Sequence, residues 1–259
     1  MQDGKQGVRG LIFSGRHTTL GSMDLTFLGR GAGFNPDEGS TSAYFVDSGE
    51  LFLIDCGESI FHSIWQQKIL DSVSALNVFI THTHSDHVGS LGSLMLYSFA
   101  IVKIHVNLII DKNVGYLSSL KSLMGIFGLL ENMYKFADTA SLDGKYSLFS
   151  KVRYIKATHS KELEACSVLF ETDRGLVFYS GDLNDPAPVI ELINSGRRID
   201  KMYIDSNGLP EPNPHHLTVQ QLNDIVPPEL KSRVYCMHIN DAQCINEAQA
   251  CGFNVVTVS

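Results

Sequence analysis

Long hydrophobic runs are missing: no apolar stretch approaches the ~20 residues of a membrane span. With 44% apolar and 19% charged residues, the composition is that of a soluble, globular chain. Cysteine pairing signals are missing too. Cys56, Cys166, Cys236, Cys244 and Cys251 are odd in number, scattered and without a CxxC pair, which fits reduced thiols in a cytoplasmic compartment and excludes a disulfide framework. Residues 1–22 carry no signal-peptide apolar core with a small-residue cleavage site. Basic residues are scarce: 20 Lys and Arg against 28 Asp and Glu leave a formal charge of −8. That argues against a surface that grips a long polyanion by counterion release, while leaving room for a local basic pocket.

What is present is enough chain, 259 residues, for one large domain. We read that domain as residues 23–259, opening at Met23, with 1–22 as an N-terminal extension, tag or upstream sequence left outside the functional reading, with room for it to add a strand. "MDLTFLG", "SAYFVDS" and "LFLIDCG" are short strand-like runs separated by Gly, Asn, Pro and Asp. "ESIFHSIWQQKIL" has helical spacing, and "ALNVFITHT" reads as a buried strand. From Val114 to Phe136 the apolar residues Leu117, Leu120, Leu123, Met124, Phe127, Leu130 and Met133 predict a helical middle, interrupted at Gly125 and Gly128. Strands resume at "KVRYIKATHS", "CSVLFETDRGLVFYSGD", "KMYIDSN" and "RVYCMHIN", interleaved with helices at "PAPVIELINS", "TVQQLNDI" and "CINEAQACG". This order predicts an α/β sandwich in two similar halves.

"THTHSDHVGS" follows the strand at 75–80 and crowds His82, His84, Asp86 and His87 into one turn. Imidazole nitrogen and carboxylate oxygen suit Zn²⁺, and two adjacent ions need about seven or eight donors. Further donors stand where other strand-like runs end: His159 in "KATHS", Asp182 in "VFYSGD" and His238 in "VYCMHIN". A single histidine at such a place is more often a hydrogen-bonded structural residue; taken with HxHxDH, the set points to metal.

In this order these residues resemble the metallo-β-lactamase-fold hydrolases, from about Met23 to the end. The resemblance implies an αββα sandwich, two packed mixed β-sheets flanked by helices, with a dinuclear centre of two Zn²⁺ (or Mn²⁺) along one edge. Carried over residue by residue, His82, His84 and His159 hold one ion, Asp86, His87 and His238 the other, and Asp182 bridges. Asp86 then belongs to the catalytic set as well, and Asp55 in "LFLIDCG" matches the acid that supports the histidine loop from behind. Such a centre ionises a water near neutral pH and neutralises charge on the attacked group.

The stretch "YIDSNGLPEPNPHHLTVQQL" resembles the tRNase Z branch, with Asp205, His216 and Thr218 in its acid and His-x-Thr positions. His216 would protonate the departing alkoxide, oriented by Asp205. The plainer alternative is an exposed His-His pair in a Pro-rich loop, with Thr218 merely a helix N-cap. "LGRGAGFNPDEGSTSAYF" resembles the opening hairpin of that branch and offers Ser40, Thr41 and Ser42 as substrate contacts, although tight turns explain its glycines equally well. The departures count against tRNA. No Gly/Pro-rich basic arm is present, "INDAQ" follows His238 in place of Ser-x-Arg-Tyr, and "SGDLN" replaces SGDT. In these respects the chain resembles the compact, dimeric cyclic-nucleotide phosphodiesterases of the anti-Pycsar type. The expectation is therefore a metal-dependent phosphodiesterase acting on a 3′,5′-cyclic mononucleotide. Its rivals are a tRNA 3′-processing endonuclease, a lactone or thioester hydrolase and a non-enzymatic nucleotide-binding protein. "SLMGIFGLLENMY" is apolar on more than one side, which predicts a homodimer.

Overall fold

The computed structural model describes residues 22–112, 117–207 and 215–259, so all but Ser22 of the proposed extension lies outside the described residues. Two six-stranded sheets form the frame. The first runs β1 (Thr26–Gly29), β2 (Ser42–Asp47), β3 (Glu50–Ile54), β4 (Ala75–Phe79), β5 (His105–Ile110) and β6 (Lys135–Asp138) in spatial order. The second holds β7 (Lys151–Ala157), β8 (Ala165–Thr172), β9 (Gly175–Tyr179), β10 (Ile199–Asp205), β11 (Val234–Met237) and β12 (Asn254–Val255), again in chain order across the sheet. Each sheet begins with three antiparallel strands and continues with three parallel additions. The two halves therefore share one plan, as the order of elements in the sequence predicts.

Strand β4 shows why the sequence folds this way. All five of its residues are buried, and a parallel strand covered on both faces needs an apolar run without alternation. Its one polar residue, Asn77, is satisfied within the sheet, donating to Glu50 at 2.8 Å and accepting from Asn107 at 2.8 Å. Between the sheets the core is aromatic. Phe45 stacks on Phe52 with centroids 4.8 Å apart and meets Phe170 of the opposite sheet edge-on at 5.6 Å, geometries that aromatic quadrupoles favour. A second core lies where the second sheet meets α5 (Ala187–Asn194), α6 (Val219–Ile225) and α7 (Ala242–Ala250), filled by Phe178, Met202, Ile204, Leu192, Leu222 and Cys244. All five cysteines are free, four of them buried. Among the described residues no helix is long and apolar enough to cross a membrane.

The helical middle expected from Val114 to Phe136 is corrected. Residues 113–116 lie outside the described residues, and helix α4 spans Leu117–Ile126. Gly128 then takes φ +72°, the left-handed backbone that ends a helix, and Leu129 N–H returns to the Met124 carbonyl at 3.0 Å. The remaining residues reach β6, whose Phe136 pairs with Leu108 of β5. The three- and four-residue spacing ran on across a turn into a strand, and sheet pairing overrode it.

The C-terminal ends of β3, β4, β7, β9, β10 and β11 are followed by, or end on, Asp55, His82, His159, Asp182, Asp205 and His238. The fold thus gathers every predicted polar strand end at one edge of the sandwich.

Candidate metal centre

Asp55 follows β3 with φ +62°, a strained setting for a residue other than glycine. From there its buried carboxylate accepts hydrogen bonds from Thr81 N–H and Thr81 Oγ1, both at 2.7 Å, and lies 2.8 Å from His87 Nδ1. Because a carboxylate only accepts, neutral His87 carries its hydrogen on Nδ1 and turns a lone pair on Nε2 inward. The short helix α2 (Ser85–Val88) delivers Asp86 and His87. It can lie so close to the turn after β3 because residue 57 is glycine: a Cβ there would stand 1.9 Å from the Asp86 carbonyl oxygen.

Three imidazoles converge on one point. His82 Nε2 lies 3.0 Å from His84 Nδ1, and His159 Nε2 lies 3.1 Å from the same atom. His159 Nδ1 donates to the His215 carbonyl at 2.7 Å, which again leaves Nε2 as the lone pair. Asp182 Oδ2 approaches His82 and His159 at 3.7 and 3.5 Å. The other oxygen, Oδ1, faces a second group: His87 Nε2 at 3.1 Å and His238 Nε2 at 3.4 Å, with Asp86 Oδ2 3.4 and 3.3 Å from the same two nitrogens. His82, His84, His159 and Asp182 thus form one cluster able to hold a metal ion, and Asp86, His87, Asp182 and His238 a second.

The donor chemistry fits cations. His87 Nε2 and Asp182 Oδ1 are buried, lack a hydrogen-bond partner and face each other. Two inward lone pairs at that separation repel unless a proton or a metal ion lies between them. Bonds of about 2.0–2.1 Å in a tetrahedron hold ligand atoms about 3.3 Å apart, close to the spacings found in both clusters. Electrostatics separates the two. Burial holds His82 well below the ordinary imidazole range and lowers His84 and His159 as well, so the first trio is neutral and ready to ligate. Burial pushes His87 and His238 down too, but the carboxylates of Asp182 and Asp55 outweigh it for His87. Those of Asp182 and Asp205 raise His238 to about 10. Burial raises Asp182, yet His238, His87 and His82 hold it well below the usual carboxylate range.

Beside the clusters, Asp205 Oδ2 lies 2.7 Å from His216 Nδ1 and accepts from Leu183 N–H at 3.0 Å, while Oδ1 lies 3.4 Å from His238 Nδ1. One fully buried carboxylate therefore touches both His216 and His238. Burial lowers the His216 imidazole, but Asp205 and then Asp182 reverse this and raise it.

These groups line a cavity of about 500 Å³, within the range of small-molecule sites. His84, Asp86, His159, Asp182, His216 and His238 are on its wall. Ser40, Thr41 and Ser42 are not: the hydroxyls bond Glu58, the Gly31 carbonyl and the Asp55 carbonyl at 3.1, 2.9 and 2.8 Å, and all three residues are buried. This corrects the expectation of substrate contact. The cluster ties the glycine-rich loop down instead. Thr218 is the N-cap of α6, in a capping box with Gln221, and does not face the cavity. Thr81, Phe34, Asn207 and Asn240 went unread. Thr81 stands inside the histidine run and could have been found there. Nothing local marks the other three, which lining alone brings to the site.

Comparison with known proteins agrees with this geometry. The metallo-beta-lactamase fold protein YhfI from Bacillus subtilis superposes with a TM-score of 0.67 over 91% of this chain and 95% of its own, at 14% identity, which establishes the fold. Zinc phosphodiesterase ELAC protein 1 from Homo sapiens is 37% identical over 75 residues, 29% of this chain but only 20% of that protein's length. Anti-Pycsar protein Apyc1 of Bacillus phage 010DV004 is 28% identical over 252 residues, 87% of this chain and 91% of that protein. Residues 23–257 match the profile described as "Anti-Pycsar protein Apyc1", and the chain belongs to that family of metallo-β-lactamase-fold hydrolases.

Proposed function

We propose that the cavity hydrolyses one phosphoester bond of a 3′,5′-cyclic mononucleotide to give the linear monophosphate. The family supports the substrate class, and the site supports the chemistry. His82, His84 and His159 would hold one divalent ion, Asp86, His87 and His238 the other, and Asp182 would serve both through its two oxygens. Two such ions, best read as Zn²⁺, would supply a water that ionises near neutral pH and would offset charge on the phosphate. Everything else is done by the chain. Asp55 fixes the His87 ring through Nδ1, and His215 fixes His159 through its backbone carbonyl. Asp205 holds His216 by Nδ1 and raises the proton affinity of that ring, which suits it to give a proton to the departing ribose oxygen.

The observation that carries this reading is the 2.7 Å Asp205–His216 contact, which holds His216 on the wall of the cavity the metal donors share. A metal site alone would suit lactones or thioesters; an acid poised beside it suits a diester with a poor leaving group. The test is an assay of metal-loaded protein on cyclic mononucleotides, cyclic dinucleotides, precursor tRNA and a lactone, with His216→Ala alongside. Loss of the positioned acid lowers kcat on cyclic mononucleotides by about 10²–10⁴-fold, and by much less on bis(p-nitrophenyl) phosphate, whose leaving group needs no proton. Turnover of the lactone alone, or binding without turnover, would overturn the assignment, and cleavage of precursor tRNA alone would move it to RNA processing.

The same reading includes a homodimer. Ile126 and Leu130 are 80% and 61% exposed, and Leu96 and Ile101 are 47% and 66% exposed on neighbouring elements. A monomeric mass by light scattering at micromolar concentration would remove this part of the proposal.

A further inference from the structure

Phe34 stands out among the side chains that line the cavity as a large apolar one. It lines the cavity and is nevertheless 100% exposed, a placement that burial of apolar surface does nothing to favour. Its backbone is tightly held. Ala32 N–H and Asn35 Nδ2 both donate to the Ile239 carbonyl at 3.0 Å, and Asn35 N–H returns to the Ala32 carbonyl at 2.8 Å. These bonds pin the turn to the residue that follows His238. One position earlier the chain runs against the metal donors themselves, since a Cβ on Gly33 would stand 3.0 Å from Asp86 Oδ2. The ring is thus carried on an anchored turn, next to the centre where the phosphate must sit, with its faces bare.

We propose that Phe34 is the platform on which the nucleobase of the substrate stacks, an inference that rests on the cyclic-mononucleotide reading above. A cyclic nucleotide anchored by its phosphate at the metal donors projects its base away from them, toward the mouth of the cavity. An aromatic face at the mouth covers that base whatever its identity, because every base has a π face. Such a platform predicts breadth: purine and pyrimidine cyclic mononucleotides share the benefit, and discrimination between them falls to polar groups at the edge of the base. It also supplies binding rather than chemistry, because the ring cannot act on the phosphorus or on the leaving oxygen.

The test compares KM and kcat of the metal-loaded full chain for cyclic AMP, cyclic UMP and a base-free analogue, methyl ribofuranoside 3′,5′-cyclic phosphate. The wild type, Phe34→Ala and Phe34→Trp are measured side by side. In the wild type, KM for the two nucleotides lies below that for the base-free analogue by roughly 5- to 100-fold, the range that stacking of one base provides. Phe34→Ala abolishes this preference and Phe34→Trp restores it, with kcat on the nucleotides changing far less than KM. A preference that survives Phe34→Ala overturns the platform while leaving the phosphodiesterase reading intact. A loss confined to kcat, or a change in the mass of the protein on Phe34→Ala, also overturns it, because the ring would then serve the chemistry or a subunit contact. A wild type inactive on all three substrates removes the functional reading itself, and the platform with it.

Discussion

Asp55 shows how much of the centre rests on a side chain that never reaches the cavity. It is fully buried and held at positive φ, and its carboxylate meets Thr81 twice and His87 once. The fixed His87 tautomer follows from that acceptor. Asp55→Asn keeps the volume but can turn an amide N–H toward His87 Nδ1, which rotates the ring or moves its hydrogen to Nε2, the inward atom. Affinity for the ion held by Asp86, His87 and His238 should then fall by about 10–100-fold, measured by competition with a chromophoric chelator, while the ion of the other cluster is retained. Equal loss of both ions would show that Asp55 supports the whole loop rather than one ligand. Asp55, Asp205 and the seven residues of the two candidate metal clusters were legible in the sequence because metal chemistry tolerates few residue types and strand ends are easy to find. Ser40, Thr41 and Ser42 misled because a hydroxyl cluster in a glycine-rich loop reads the same whether it faces a ligand or, as here, carbonyls of its own chain. Phe34 left no trace, since an exposed aromatic in a loop has no period to break.

The strands and turns were more legible than the helices between them. β-rich runs bounded by Gly, Asn and Asp located nine of the strands, but the run from His105 to Ile110, which became β5, and the short β12 were not among them, and β6 was absorbed into an expected helix. The misses at β5 and β6 fall in the segment where apolar residues are dense, so that helical and alternating patterns fit equally well. What the density does signal is surface. Helix α3 (Leu91–Tyr97) packs against the end of α4, where a Cβ on Gly92 would stand 2.7 Å from the Phe127 ring. The exposed Leu96, Ile101, Ile126 and Leu130 therefore belong to neighbouring elements, an arrangement typical of an interface. If this face joins two copies, Ile126→Lys with Leu130→Lys should halve the mass seen by light scattering without lowering the melting temperature of the subunit. An unchanged dimer would place the contact elsewhere, and an unchanged monomer in the wild type would leave the patch without a partner copy.

Across the whole molecule, the two sheets bring together titratable side chains from six strand ends, and the charge they concentrate has to be neutralised. Protons and metal ions compete for that task. His238 is raised to about 10 and His87 well above its ordinary value, so the metal-free protein keeps both protonated at neutral pH. A raised value in the fold means that this stabilisation is complete below the ordinary imidazole value near 6.5 and disappears as pH climbs through about 10. His82, His84 and His159 behave in the opposite sense: they are lowered, and the stability they contribute as neutral groups is lost only on acidification. Metal must displace protons from the cluster of Asp86, His87 and His238 but not, near neutrality, from the other. We therefore expect metal uptake at pH 7.5 to release protons, so that binding enthalpies differ between buffers of different ionisation enthalpy. On stepwise acidification the ion of the Asp86 cluster should leave first, read as a two-step fall in metal content after dialysis. Loss of both ions together, or uptake without proton release, would mean that the clusters do not divide the charge in this way.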